Sequence, residues 1–147
     1  MNKLFIPPTL IAYCILSMIL LYIIIPQFNL ISFPYNMVGI LIAFLGFVLM
    51  GKARDLFRKH KTTTRIEKSN HLIIDGVFSK TRNPMYLGMS ILILGFSVLS
   101  TNVIALTLPI IFLILVSLIY IRKEERLLLK AFGEEYIKYK KNVRRWL

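Results

Sequence analysis

Residues 85–121 read MYLGMSILILGFSVLSTNVIALTLPIIFLILVSLIYI and carry no charged side chain. The polar triplet STN at residues 100–102 divides this stretch into two apolar blocks, residues 85–99 and 103–121. A helix needs roughly 20 mostly apolar residues, with a lower limit of about 17, to cross a membrane. The stretch therefore predicts a hairpin of two transmembrane helices, of which the first is short for a span.

Two further uncharged blocks lie earlier in the chain, at residues 6–25 and 35–51. Four such blocks in a chain of 147 residues are not explained by a soluble core, whose surface helices would show an amphipathic pattern. We therefore predict one all-α integral membrane domain over residues 1–147. Its four transmembrane helices are expected at about residues 6–25, 35–51, 85–99 and 103–121.

The positive charges predict the orientation of these helices. Nine of the 19 Lys and Arg residues lie within residues 52–82, nine lie within residues 122–145, and the last is near the N-terminus. The connection at residues 26–34 has no charge. Because short loops rich in Lys and Arg remain in the cytoplasm, we expect both termini, a loop over residues 52–84 and a tail over residues 122–147 on that side.

The net charge of +12 would also suit a nucleic-acid partner. Almost all of the cations flank the predicted spans, however, where membrane orientation and anionic headgroups already explain them. We therefore expect the membrane, and no nucleic acid, as the partner. Cys14 is the sole cysteine, so the sequence predicts neither an internal disulfide nor a metal site.

The first candidate site lies at the start of the third block. At about 1.5 Å per residue, residues 85–99 reach only about 22 Å, less than the roughly 30 Å of hydrocarbon in a bilayer. Pro84 suits the first position of a helix, where its missing N–H has no partner. Arg82 and Asn83 should then lie near the headgroups, where polar backbone must be buried in protein or line a cavity.

The second candidate site lies in the tail. When residues 121–132 are placed on a helix, Glu124 and Glu125 fall on its apolar side, and burying charge is costly unless it is paired or binds a ligand. The structural alternative is that the two glutamates form ion pairs with Arg82 or with loop lysines. Gly133 is expected to end this helix, and we interpret the acidic residues 134–135 after it as structural.

These two sites carry a family resemblance. The chain reads Arg82-Asn83-Pro84-Met85-Tyr86-Leu87-Gly88, then a hydrophobic hairpin, then Glu124-Glu125, and ends with Phe132-Gly133-Glu134-Glu135-Tyr136 followed by Tyr139 and Val143. This order resembles the isoprenylcysteine carboxyl methyltransferase family and the related phospholipid N-methyltransferases. The resemblance covers roughly residues 70–143, about half of the chain.

The resemblance implies a small membrane enzyme that uses S-adenosyl-L-methionine, with a cofactor pocket built from the loop before the third span and from the C-terminal helices. It implies positioning roles for Arg82, Asn83 and Tyr86. The residues that it implies for cofactor binding are Asn70, His71, Leu72, Ile73, Phe78, Asn83, Pro84, Met85, Tyr86, Glu124 and Glu125.

The sequence departs from the family pattern at three positions. Asn83 replaces the family histidine, Phe78 has no hydroxyl group, and Tyr120 stands where the prenylcysteine enzymes carry a substrate-binding arginine. We therefore expect a lipid-like or lipidated acceptor that enters from the bilayer, and a range of acceptors that is broader than prenylcysteine or different from it.

Carboxyl methylation is favoured because a carboxylate nucleophile needs no base, and His71 is the weak candidate if one is needed. The alternatives are a phospholipid N-methyltransferase, an enzyme like the sterol reductases, and a non-catalytic membrane scaffold.

Overall fold

A computed structural model describes residues 7–60 and 71–147, and these residues are helical with no β-strand among them. This confirms the predicted all-α class. Short 3-10 turns connect the longer helices at Pro26–Phe28, Tyr35–Met37, Gly76–Ser79 and Val103–Thr107. The longer helices are α1 (Pro7–Ile24), α2 (Val38–Lys59), α3 (Pro84–Leu99), α4 (Leu108–Val116) and α5 (Arg122–Asn142).

Two helical segments are long and apolar enough to cross a membrane, Tyr35–Lys59 and the helical stretch Val103–Asn142. The apolar helices Thr9–Ile24 and Pro84–Leu99 are shorter. At 16 residues, α3 is about 24 Å long, which agrees with the short third block of the sequence. The structure thus gives an all-helical chain with two candidate spans and two shorter apolar helices.

The fourth predicted span is not one regular helix. Residues 103–121 form the 3-10 turn Val103–Thr107, then α4, then the π-helical turn Ser117–Ile121, which runs directly into α5. Pro109 lies in the first turn of α4, and its lack of a backbone N–H disfavours a regular helix that begins at Val103. Asn102 caps the 3-10 turn, because its side chain accepts a hydrogen bond from the Ile104 N–H at 3.0 Å.

Helices α2 and α3 form the most extensive helix–helix interface of the described residues. Small residues bring the two backbones into contact: a Cβ atom on Gly46 would lie 2.6 Å from the carbonyl oxygen of Gly88. Any larger side chain at Gly46 would therefore push the two helices apart. This interface fixes α3, whose first turn carries one of the two candidate sites.

One end of the molecule is uncharged and is held together by the buried side chain of Asn102. Its amide nitrogen donates to the carbonyls of Leu21 and Ile25 at 3.2 Å each, and to Oδ1 of Asn29 at 2.9 Å. The Ile31 N–H also donates to the Thr101 carbonyl at 3.1 Å. The connection after α1 and the turn after α3 therefore meet at the same end.

The opposite end contains the charged segments. At Gly133 the backbone adopts φ 50° and ψ −122°, so the predicted end of the helix appears as a kink in α5. The chain then folds back: the Tyr139 hydroxyl donates to the Phe78 carbonyl at 2.7 Å, and the Arg82 N–H donates to the Arg144 carbonyl at 3.0 Å. The tail thereby lies against the loop that precedes α3.

The outer faces of α1, α2 and α4 expose large apolar side chains. Contiguous apolar surface of this kind marks a contact with membrane or with another protein. Examples are Leu16, Ile23, Ile40, Phe47, Ile110 and Ile114.

Candidate functional site

The centre of the candidate site is a hydrogen bond between the first turns of α3 and α5. The Tyr86 hydroxyl donates to Glu124 Oε1 at 2.6 Å. Burial raises the pKa of the Glu124 carboxyl group, and the hydrogen bond from Tyr86 offsets part of that rise. Within residues 7–60 and 71–147, Glu124 forms no ion pair with a Lys or Arg side chain.

The neighbouring Glu125 is bound quite differently. Its Oε1 lies 2.9 Å from Nη1 of Arg82, and its two oxygens accept from Nε and Nη2 of Arg145 at 3.1 and 2.8 Å. The charge of Glu125 is therefore compensated by two guanidinium groups. The structure thus distinguishes the two adjacent glutamates. Glu125 forms the ion pair with Arg82 that was the structural alternative for both, and Glu124 has no cation partner in the described part of the chain.

The end of the tail holds the residues before α3 in place. The carbonyl oxygen of Arg145 accepts hydrogen bonds from Oγ1 of Thr81 and from Nδ2 of Asn83, both at 3.0 Å. Pro84 occupies the first turn of α3 and is buried, as its position in the sequence predicts. Asn83 is thereby tied to the tail backbone through the amide that replaces the family histidine.

Two buried polar atoms at this end of the molecule have no hydrogen-bond partner among the described residues, Tyr120 Oη and Arg82 Nε. Tyr120 lies in the π-helical turn directly before α5 and packs in the same cluster as Tyr86. Such π-helical turns often occur at functional sites. Because buried polar groups are nearly always satisfied, these two atoms mark places where a polar ligand would find a donor.

Several predicted site residues belong to apolar clusters beside this centre. Ile73, Phe78 and Met85 pack with Ala53 of α2, and the ring of Phe78 makes an edge contact with Phe57. Their side chains offer apolar contact surface and no charge.

Leu72 packs against Tyr136 and Tyr139 of the tail. Burial raises the pKa of Tyr139, so that its hydroxyl remains the protonated donor to the Phe78 carbonyl.

The predicted site residue His71 makes its ring contact with another histidine. Its imidazole stacks on that of His60 with ring centroids 5.0 Å apart. The His60 ring in turn contacts the carboxylate of Asp75 at 3.2 Å. Burial slightly opposes ionisation of Asp75, but the hydrogen bond and charge of His60 outweigh it and lower the Asp75 pKa. Asn70, which was predicted to contact the cofactor, lies outside the described residues.

Sequence reasoning missed three residues of this site: Arg145, Tyr136 and Thr81. Arg145 compensates Glu125, Tyr136 accepts a 3.3 Å hydrogen bond from Nη1 of Arg82, and Thr81 binds the tail backbone. Tyr136 belongs to the C-terminal motif that carried the resemblance and could have been proposed from it. Nothing in the local sequence distinguishes Arg145 from the other cations of the tail.

Comparison with known proteins gives the class of the chain. A sequence model of the phospholipid methyltransferase family matches residues 34–135, which include α2, α3, α4 and the glutamate pair. This match covers well over half of the chain. The protein belongs to the phospholipid methyltransferase family.

Two individual relatives agree with this assignment. The chain is 38% identical over 63 residues to an uncharacterized protein of Haemophilus influenzae. The matched region covers 43% of this chain and 100% of that protein. It is 36% identical over 84 residues, or 57% of its length, to the protein-S-isoprenylcysteine O-methyltransferase of Saccharomyces cerevisiae. The matched region spans 35% of the yeast protein, about a third. No solved structure matches significantly.

These matches confirm the resemblance that the two sequence motifs indicated. The protein is a member of a family of membrane methyltransferases.

Proposed function

We propose that this protein transfers a methyl group from S-adenosyl-L-methionine to a lipid-like or lipidated acceptor that reaches the site from the bilayer. The observation that carries the proposal is the burial of Glu124 together with its bonding partners. Glu124 is a partly buried carboxylate that bonds to Tyr86 and has no cation within residues 7–60 and 71–147, although its neighbour Glu125 has two. A buried charge without a partner is costly, so a charge that is kept there is best explained by a ligand.

The donor set of the site fits the cofactor. S-adenosyl-L-methionine has an ammonium group, a carboxylate and a ribose diol, and it supplies an electrophilic methyl group on a sulfonium. Glu124 would accept hydrogen bonds from its ammonium or hydroxyl groups, which are stronger when one partner is charged. The unpartnered Tyr120 Oη and Arg82 Nε would provide donors on the same side. Asn83 and the apolar residues Leu72, Ile73, Phe78, Pro84 and Met85 would form the remaining contacts.

Methyl transfer requires alignment more than proton transfer. It is an in-line displacement, so the protein accelerates it chiefly by holding the acceptor atom on the axis of the breaking bond. Because α3 is short for a span, Asn83 and Tyr86 would lie at the depth where an acceptor group from the bilayer would arrive. In this role Tyr86 does two things: it fixes the orientation of the Glu124 carboxylate, and its ring covers one wall of the site.

We favour carboxyl methylation, because a carboxylate nucleophile is already deprotonated at neutral pH. The second candidate is phospholipid N-methylation, which the description of the matching family favours. An amine acceptor would have to lose a proton, and the two histidines His60 and His71 stack on each other beside Asp75. An N-methyltransferase would need such a base within hydrogen-bond reach of the amine.

The proposal includes a topology of four crossings with both termini in the cytoplasm. Two features of the described residues support it. The uncharged connection at residues 25–37 and the turn at residues 100–102 meet at one end of the molecule. The cations at the end of α2, those directly before α3 and those of α5 lie at the other end, in agreement with the distribution of positive charge in membrane proteins.

One experiment tests the proposed function and separates the two candidates. The purified protein is incubated with methyl-labelled S-adenosyl-L-methionine and total membrane extract, and the labelled product is treated with mild base. A methyl ester releases volatile labelled methanol, whereas an N-methyl group is stable to base. Base-labile label supports carboxyl methylation and base-stable label supports the phospholipid candidate. No transfer, together with no binding of S-adenosylhomocysteine by calorimetry, would refute the methyltransferase proposal.

A further inference from the structure

The kink at Gly133 creates a groove that neither Tyr86 nor Glu124 lines. The two halves of α5 on either side of the kink enclose an open groove of about 810 Å³. Two residues described above, Glu125 and Tyr136, line the groove, and both contact Arg82. Its rim carries four basic side chains and its wall is partly apolar. The residues concerned are Arg122, Arg126, Lys140 and Lys141 at the rim, and Leu129 and Ile137 at the wall.

The positive charge of this groove is not compensated within the described part of the chain. None of the four basic side chains forms an ion pair there. The acidic residue that lines the groove, Glu125, is already bound by Arg82 and Arg145. Four like charges around one cavity repel each other, and such a cluster concentrates anions from the surroundings.

The position of the groove indicates where the anion comes from. Arg122 follows Ile121, the last residue of the fourth predicted span, so it lies at the level of the cytoplasmic headgroups. The fold of the tail then brings Lys140 and Lys141 back to the same groove, although they follow Arg122 by 18 and 19 positions. A free phosphate ion would satisfy the charges but would leave the apolar wall at Leu129 and Ile137 in water.

We propose that this groove binds the phosphate group of an anionic phospholipid of the cytoplasmic leaflet. The basic rim would contact the phosphate, and the apolar wall would contact the adjoining acyl region. The bound lipid is a structural ligand that holds the two halves of α5 together, and it is not the methyl acceptor. The inference requires the membrane position of α5 and does not depend on the methyl-transfer activity.

The test measures binding of phosphatidylglycerol to the full chain in neutral detergent, by native mass spectrometry and by the shift in thermal unfolding temperature. The groove variant carries Lys140→Gln and Lys141→Gln. The matched control carries Lys130→Gln and Lys138→Gln, which removes the same charge from exposed positions of α5 outside the groove. We expect phosphatidylglycerol affinity to fall by roughly tenfold or more in the groove variant, because each basic residue contributes substantially to attraction by anionic lipid. The control should retain the affinity of the unmodified protein.

A charge-preserving variant guards against misfolding as the explanation. Lys140→Arg combined with Lys141→Arg should bind phosphatidylglycerol as the unmodified protein does. Three results would overturn the proposal: equal weakening in the groove variant and the control, equal binding of zwitterionic phosphatidylcholine, or the same stabilisation by inorganic phosphate at matched concentration. The last result would assign the groove to free phosphate rather than to a lipid.

Discussion

The Tyr86 hydroxyl donates a 2.6 Å hydrogen bond to Glu124 across 38 positions of sequence, and so joins the start of α3 to the start of α5. The next residue, Glu125, instead contacts Arg82 and Arg145. Among the residues that the structure describes, one of two adjacent carboxylates is therefore compensated by cations and the other is held by a neutral donor. This difference separates a residue that stabilises the fold from a residue that is available to a ligand.

Glu124→Gln should weaken binding of S-adenosylhomocysteine by roughly tenfold or more, because a charged hydrogen-bond partner is lost from a partly buried site. The same change should not reduce stability at neutral pH. Gln keeps an oxygen that can accept from Tyr86, and it removes a carboxylate whose charge is opposed by burial. Calorimetry and thermal unfolding in detergent measure the two effects on one sample.

The pH dependence of unfolding tests whether burial opposes the charge of Glu124. The pKa of Glu124 is raised in the folded protein above its ordinary value of 4.5. Its contribution to stability is therefore fully present below about pH 4.5 and is lost as pH rises through the folded pKa. Glu124→Gln should flatten this part of the profile, whereas the exposed Glu134→Gln should leave both the profile and ligand affinity unchanged. Equal ligand affinities for the two variants would remove Glu124 from the proposed site.

Glu125→Gln should destabilise the protein far more than Arg145→Gln. The side chain of Arg82 is only 9% exposed, so loss of Glu125 leaves a buried guanidinium without its carboxylate, at a cost of about 3 kcal/mol. The side chain of Arg145 is 35% exposed, and Glu125 keeps Arg82 when it is removed. We expect a cost of about 1 kcal/mol there. Thermal unfolding of both variants, with the exposed Glu135→Gln as control, should reproduce this order; a reversed order would contradict it.

The sequence predicted much of the helical framework because that framework follows from local composition. The apolar blocks correspond to α1, α2, α3 and the helical stretch that begins at Val103. Pro84 begins α3, as its missing N–H predicts. The irregular turns at Val103–Thr107 and Ser117–Ile121 were not predicted. The first of them follows from Pro109 and from the Asn102 cap, which a pattern of apolar residues alone does not register.

The candidate site was predicted only in part, for a physical reason. Adjacent residues on a helix point about 100° apart, so Glu124 and Glu125 reach different neighbours, and the sequence contains no information on which neighbour each one meets. Arg145 reaches Glu125 because the chain turns back at Gly133, 12 positions earlier. The sequence placed a helix end at Gly133 but gave no direction for the segment that follows.

Gly133→Ala should destabilise the protein although a Cβ atom there would meet no other atom within 4 Å. Its φ of 50° with ψ of −122° is a conformation that only glycine adopts without strain, and we expect a cost of about 1–3 kcal/mol. Gly51→Ala is the matched control. Gly51 also has open space around its Cβ position, but it lies inside α2, where alanine is favoured by about 1 kcal/mol.

Thermal unfolding of the two glycine variants should therefore shift in opposite directions. Gly133→Ala should also weaken phosphatidylglycerol binding, since the kink brings Lys140 and Lys141 to the groove. If both variants gained stability, the kink at Gly133 would not exist in the folded protein.

Reporter fusions should confirm the proposed topology. A fusion after Ile31 should report an extracytoplasmic position, because the Ile31 N–H bonds to Thr101 at the uncharged end of the molecule. Fusions after His60 and after Leu147 should report the cytoplasm, since both follow cation-rich segments. A phosphatase fusion active after Ile31, with a green fluorescent protein fusion bright at Leu147, is the expected pair. A cytoplasmic signal after Ile31 would contradict the four crossings.

The methyl acceptor should be found in the lipid phase. Helix α3 begins at Pro84 and is about 24 Å long, less than the full hydrocarbon thickness. In the proposed topology, Asn83 and Tyr86 would therefore lie near the inner headgroups. An acceptor anchored in the bilayer would present its reactive group at that depth. Tyr120, in place of the family arginine, should broaden the range of accepted groups. After incubation with labelled cofactor and membrane extract, the label should partition into the organic phase. Label found only in water-soluble molecules would exclude entry of the acceptor from the bilayer but would leave the assignment of methyl transfer intact.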